Sequence, residues 1–432
     1  MKRVLYVAYF FPPMGGAGVQ RSAKFTRYLP LFGWAPTVLT ADAAYWMRDE
    51  TLLEDVAPGC VIHRVPAWGA GVAQRQSGGE VRSAGRIHLL RSLVRFLLVP
   101  DTYWGWVLPA WRRGARLLER ESFDALVTTS SPDSAHLLGL GLHRRFGLPW
   151  IADFRDPWTR RMAYAPATPW HDRLHHRLER EVLLGADHVI VTSEETRGDF
   201  LSRTPGLAPE RISVVTNGYD ESDFEAAEAI QRADPLPPRF EVLHAGQLNP
   251  ERGIEPYLEA LLRLRARHVG GGELPRTRFA GGHYDRDLEA VRRRGLEPWV
   301  EFTPNRPHHA SIADCLRARV LLLLEQPSER GALILPGKIF EYVRARRPIL
   351  ALVPPQGAAA RLIGAIGAGL VVDPSDPGAI AQALERLLGT SPPGSGVDGP
   401  PVADWESIRG FERQALTGEL AARLDQIRSR SR

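Results

Sequence analysis

The stretch Phe240-Glu241-Val242-Leu243-His244-Ala245-Gly246-Gln247-Leu248-Asn249-Pro250-Glu251-Arg252-Gly253-Ile254 decides how this 432-residue chain is to be read. A short strand-like run ends at Ala245, Gly246 opens a polar loop, and Glu255 to Arg265 continue at helical spacing. Strand, glycine-bearing loop and helix in that order make a βα unit, the building block of a parallel sheet. The same order opens the chain. There Val4–Tyr9 leads through Pro12-Pro13-Met14-Gly15-Gly16-Ala17-Gly18 into a helical stretch ending near Leu29.

Outward from these two units, apolar runs alternate with helical stretches through both halves. Strands are expected in the first half at Val4–Tyr9, Thr37–Thr40, Val61–Val65, Ala125–Thr129, Trp150–Ala152, His188–Thr192 and Ile212–Val215. In the second half they are expected at Phe240–Ala245, Thr277–Ala280, Val300–Thr303, Val320–Leu324, Ile349–Val353 and Leu370–Val372. A chain of 432 residues exceeds the roughly 250–300 that one core serves, so two Rossmann-like α/β domains are expected. The first covers 1–225 and the second 239–404. Between them the proline-rich Ala233-Asp234-Pro235-Leu236-Pro237-Pro238 marks a linker over 226–238, and a helical tail follows at 405–432. Residues 68–86 and 389–404 read as loops rich in glycine or in glycine, proline and serine.

Composition excludes several classes. With 44% hydrophobic and 24% charged residues the chain is an ordinary globular one. Its net charge of +5 suits anionic ligands but is too mild and dispersed for nucleic acid. Cys60 and Cys315 stand far apart without metal-ligand spacing, which points to a reduced, cytoplasmic setting and no disulfide framework. The opening Met1-Lys2-Arg3 and its short apolar run lead into Pro12-Pro13, so they read as a first strand and not as a signal sequence. No apolar run approaches the roughly 18 residues of a membrane span.

The chemistry concentrates at loops that follow strands. Gly15 and Gly16 allow backbone N–H groups to approach an anion at a helix N-terminus, or they form a plain tight turn. Gly246 and Arg252 lie in the equivalent loop of the second half, at the carboxyl edge of the sheet where open α/β folds bind ligands. Arg252 either holds a diphosphate by paired hydrogen bonds or stands solvated beside Glu251. In Leu335-Pro336-Gly337-Lys338-Ile339-Phe340-Glu341-Tyr342, Pro336-Gly337 starts a helix that sets Lys338 and Glu341 on one face. Either the two pair with each other, or Lys338 binds phosphates while Glu341 accepts from ribose hydroxyls.

These motifs, with the turn Thr216-Asn217-Gly218-Tyr219-Asp220 and Pro348, resemble glycosyltransferase family 4 in the same order over essentially the whole chain. The resemblance implies a GT-B fold, two Rossmann-like domains facing across a cleft with a terminal helix returning to the first. It also implies retaining, metal-independent transfer from a nucleotide-diphosphate sugar to an acceptor hydroxyl on a glycan, lipid-linked or small molecule, with no cofactor. Arg252 and Lys338 would contact the donor diphosphate, and Glu341 would match the second glutamate of the family's E-x7-E signature. The first glutamate is replaced by Leu333, leaving Glu325 or Glu329 as the available carboxylates, and Gln247 replaces the usual arginine. An epimerase or hydrolase on the same fold, or a non-catalytic partner subunit, stays open as an alternative.

On the acceptor side, Asp153, Arg155 and Asp156 lie in Trp150-Ile151-Ala152-Asp153-Phe154-Arg155-Asp156-Pro157-Trp158, which resembles an Asp-x-Arg-Asp-x-Trp segment in part of the same family. Asp156 is the catalytic candidate among them, and the alternative is an ion-paired turn. His136 follows another strand and is either cleft-lining or structural. Asp153 and Asp156 are three apart and the histidines are scattered, so no metal site is expected. Residues 87–99 alternate apolar and basic faces, which fits either packing or a peripheral site on the inner face of a membrane.

Overall fold

The structure, a computed structural model, describes residues 1–43, 48–67, 96, 98–162, 164–234, 242–248, 253–267, 274–389 and 402–430. The chain forms two compact units, Met1–Thr216 with Arg413–Arg432, and Asn217–Glu412.

The first unit carries strands β1 (Lys2–Val7), β2 (Trp34–Asp42), β3 (Val61–Pro66), β4 (Ala125–Thr129), β5 (Trp150–Phe154), β6 (His188–Val191) and β7 (Ile212–Val214). They form one parallel sheet in the order β3-β2-β1-β4-β5-β6-β7. The second unit carries β8 (Val242–Ala245), β9 (Thr277–Ala280), β10 (Val300–Thr303), β11 (Val320–Leu324), β12 (Ile349–Leu352) and β13 (Gly369–Val372). These too are all parallel, in the order β10-β9-β8-β11-β12-β13. Each sheet is thus doubly wound, with its order reversing between β1 and β4 or between β8 and β11. Every expected strand is present. The ends move by up to three residues because pairing sets them as well as apolarity: Lys2 and Arg3 join β1 by pairing with Trp34 and Ala35.

Burial on both faces explains why the central strands were apolar runs, while the edge strands β3 and β10 stay partly exposed. Leu5 and Val7 enter one core while Val4 and Tyr6 enter another on the opposite face. In the second unit Leu321 and Leu323 separate likewise from Val320, Leu322 and Leu324. Helix Arg413–Arg430 belongs to the first unit, where Leu416, Leu420, Leu424 and Ile427 form a stripe packed with Val4, Tyr6 and Phe25.

Two boundaries differ from the sequence reading. The stretch read as a linker begins inside helix Glu221–Ala233, which is capped by Asp220 and packs in the second unit through Phe224 and Ala227. Arg344 ties that helix down, donating to Glu221 at 2.9 and 3.1 Å and to Glu228 at 3.2 Å. Residues 235–238 of the same stretch lie outside the described residues. The tail is divided: Trp405–Ile408 stays with the second unit, where Ile408 is buried, and only Arg413 onward joins the first. The loop at 68–86, most of the amphipathic stretch 87–99 and most of 389–404 also lie outside the described residues. Among the described residues no helix is long and apolar enough to cross a membrane.

Candidate active site

In the second unit the site is assembled where the strand order reverses. Lys338 is the first residue of helix Lys338–Ala345, whose N-cap Gly337 offers no side chain. Its Nζ lies 3.2 Å from Nε2 of His244 on β8. The His244 ring is 1% exposed, and its Nδ1 lies 2.9 Å from the Leu322 carbonyl of β11. A carbonyl only accepts, so Nδ1 carries the proton and Nε2 accepts from the ammonium.

Gly246 follows directly, with φ +111°. A Cβ here would sit 2.9 Å from Lys338 Nζ and 3.4 Å from its Cε, so the ammonium occupies space that only glycine leaves. The loop is held from beneath. Gly246 N–H donates to Ala280 at 2.7 Å, and Leu248 N–H donates to Gly282 at 2.8 Å. Gly281, at φ +147°, has no room for a Cβ because the Gly246 carbonyl would lie 2.4 Å away. The buried Tyr342 hydroxyl accepts from Ala245 N–H at 2.8 Å and joins the end of β8 to the helix that carries Lys338.

Glu341, on the same helix, faces His308, whose Nε2 is 3.8 Å from the Glu341 carboxylate and 3.4 Å from Asp223. His309 adds a second imidazole 3.5 Å from Asp223. Glu325, one residue past β11, is buried, whereas Glu329 is exposed at the start of helix Glu329–Leu333, which ends in Leu333. Arg252 lies outside the described residues. Among the described residues no group of three or more His, Cys, Asp and Glu side chains is arranged to hold a metal ion.

In the first unit, Gly15 is buried and Gly16, at φ +102°, precedes helix Ala17–Tyr28. Arg155 donates to the Gly18 carbonyl, and a Cβ at Gly18 would lie 3.1 Å from its guanidinium. Asp153 is engaged within the fold. Its oxygens accept from Arg21 Nη2 at 2.7 Å and Nε at 3.0 Å, and from Thr129 Oγ1 at 2.8 Å. Arg21 also donates to the Val215 and Thr216 carbonyls at 2.9 and 2.7 Å, binding helix to sheet edge. Burial opposes the charge on Asp153, but the Arg21 guanidinium outweighs it and holds the carboxyl below its usual range. Asp153 is thus ion-paired within the fold, with Arg21 of helix Ala17–Tyr28 and not within its own turn. Asp156 remains partly exposed. His136 is fully buried, with Nδ1 2.8 Å from Thr128 Oγ1 and its ring 4.2 Å from that of Phe154. Burial pushes it down to about 3, so it is neutral at physiological pH and is a core histidine.

Sequence reasoning missed His244, Asp223 and His308. A polar residue one place before the end of an apolar strand was the available signal for His244.

Comparison with known proteins adds a second kind of observation. The model described as Glycosyltransferase Family 4 matches residues 63–223, and that described as Glycosyl transferases group 1 matches residues 239–390. The alpha-D-kanosaminyltransferase of Streptomyces kanamyceticus is 25% identical over 357 residues, 78% of this chain and 88% of that one. Sucrose-phosphate synthase from Thermosynechococcus elongatus shares the fold at TM-score 0.58 and 17% identity, over 100% of this chain and 97% of that one. So does Anabaena HepE, solved in complex with UDP-glucose, at TM-score 0.58 and 14% identity over 100% and 98%. The chain is a GT-B glycosyltransferase of family 4 type.

Two outcomes are expected of this glycosyltransferase. Asp153→Asn strands the buried Arg21 guanidinium and should lower unfolding free energy by about 3–5 kcal/mol in urea titration. Because the Asp153 carboxyl titrates below its usual range in the fold, its contribution is present at neutral pH and disappears as pH falls through the folded value. Unchanged stability with lost turnover would instead assign Asp153 to the acceptor site. Gly246→Ala forces a Cβ onto the Lys338 ammonium and should lower turnover by roughly 100-fold, the scale of losing one charge stabiliser. Wild-type turnover in that variant would show that the contact is not used.

Proposed function

We propose that the protein transfers a sugar, with retention of anomeric configuration and without a metal ion, from a nucleoside-diphosphate sugar to an acceptor hydroxyl. The observation that carries this reading is the Lys338 ammonium seated over Gly246 at the carboxyl end of β8. Ligands of doubly wound sheets bind at such switch points. HepE, a relative in fold, was solved with UDP-glucose, which supports a donor of this class.

Cleavage of the glycosidic bond places growing negative charge on the departing diphosphate. Lys338, with Arg252 from the sequence after β8 as a second cation, neutralises that charge most strongly in the transition state, so it raises turnover and not only affinity. In a front-face displacement the leaving phosphate accepts the proton of the attacking hydroxyl, and no protein nucleophile is needed. Glu341 accepts from the ribose hydroxyls, and the Gly15-Gly16 loop offers backbone N–H groups to the donor. Asp156 and Arg155 serve the acceptor. Cationic side chains do the work that a divalent ion would otherwise do.

The test has two parts. A thermal-shift screen of nucleoside diphosphates and nucleotide sugars should raise the melting temperature for the matching donor, by selective binding to the native state. With that donor, free nucleotide should appear only when an acceptor is present, which separates transfer from hydrolysis or epimerisation. Lys338→Ala should lower kcat by about 10²–10³ while leaving the melting temperature near wild type. Near-normal turnover in that variant would overturn the proposal.

A further inference from the structure

We infer that His244 is a positioning residue that aims the Lys338 ammonium at the donor phosphates; this rests on the reading of Lys338 as a diphosphate ligand. The ladder between β8 and β11 runs through Val242 with Val320 and Leu243 with Leu321 and then stops. At the next position the backbone pairing is replaced by a side chain, as the Leu322 carbonyl accepts from His244 Nδ1 at 2.9 Å. That bond fixes both the plane of the imidazole and its tautomer. Nε2 is left as an acceptor, 3.2 Å from Lys338 Nζ.

A lysine side chain is a flexible stem ending in a point charge, so its precision comes from what surrounds the ammonium. One wall is the bare backbone of Gly246, where a Cβ would approach Nζ to 2.9 Å. A second is His244, an acceptor that orients the ammonium without adding a charge of its own. Charge stabilisation in a transition state depends on such prior orientation, because a group that must reorganise during the reaction loses much of its effect.

Two amides that differ by one methylene separate this role from a structural one. His244→Asn can keep an N–H near the position of Nδ1, and with it the Leu322 bond, but presents nothing at Nε2. His244→Gln reaches further and can place its amide oxygen near Nε2. The full-length variants are titrated calorimetrically with UDP, GDP, ADP and dTDP, alongside wild type and Lys338→Ala, and the tightest-binding nucleotide is compared. The Asn variant should bind it roughly 10- to 100-fold more weakly, the range for losing one hydrogen bond to a charged group, while Gln stays within about threefold of wild type. Both should melt close to wild type. Wild-type binding by Asn, or Gln as weak as Asn, overturns the positioning role, because a role confined to the Leu322 carbonyl favours Asn. If Lys338→Ala binds like wild type, the diphosphate reading itself falls. If Lys338→Ala loses the nucleotide and Asn does not, only the inference about His244 falls.

Discussion

A parallel strand can pair with its neighbour only after the chain has crossed back over the sheet, and everything else in this molecule follows from that requirement. The crossovers lay helices on both faces, which is why Val320–Leu324 is buried along its whole length. Successive residues of one strand then feed two different cores. Where the strand order reverses, neighbouring crossovers leave in opposite directions and the carboxyl ends lie open. Both glycine-bearing loops, after β1 and after β8, stand at such a reversal.

The carboxyl edges of the two sheets are used differently. In the first unit, the end of β5 is occupied by the protein's own ion pair, since Arg21 and Asp153 satisfy each other in a buried setting. Such a pair adds little net stability over apolar packing, but it is costly to break because the surviving charge stays buried. It therefore specifies how helix Ala17–Tyr28 sits on the sheet more than it stabilises the fold. In the second unit a lysine lies at the reversal itself, at the end of β8, against a backbone that lacks a side chain.

The central strands were legible because burial on both faces writes them as apolar runs, which need no tertiary information to see. The boundary between units was not. Prolines after Ala233 suggested a linker, yet helix Glu221–Ala233 is held to the second unit by Phe224 and by Arg344, a residue more than a hundred positions away. The pairing of Asp153 was hidden for a similar reason. A carboxylate at a strand's carboxyl edge looks the same in sequence whether it faces a ligand or an arginine from another helix, and the partner Arg21 is 132 residues distant. Lys338 and Gly246 were legible as separate motifs, but their contact was not, since it depends on a loop conformation with positive φ.

The placement of Lys338 runs against local preference. The N-terminus of a helix carries partial positive charge, so a lysine in the first turn is disfavoured by about 0.3–1 kcal/mol. Glu341, also in the first turn, offsets part of that cost. Gly337 supplies no capping side chain, so the helix end is not closed by a neighbouring hydroxyl or carboxylate. Helix dipole and ammonium thus act in the same direction, and each alone would be better placed elsewhere for stability. A local conflict of this kind is expected where a fold serves a ligand before its own stability. An anion at this end would meet the helix dipole and the ammonium together.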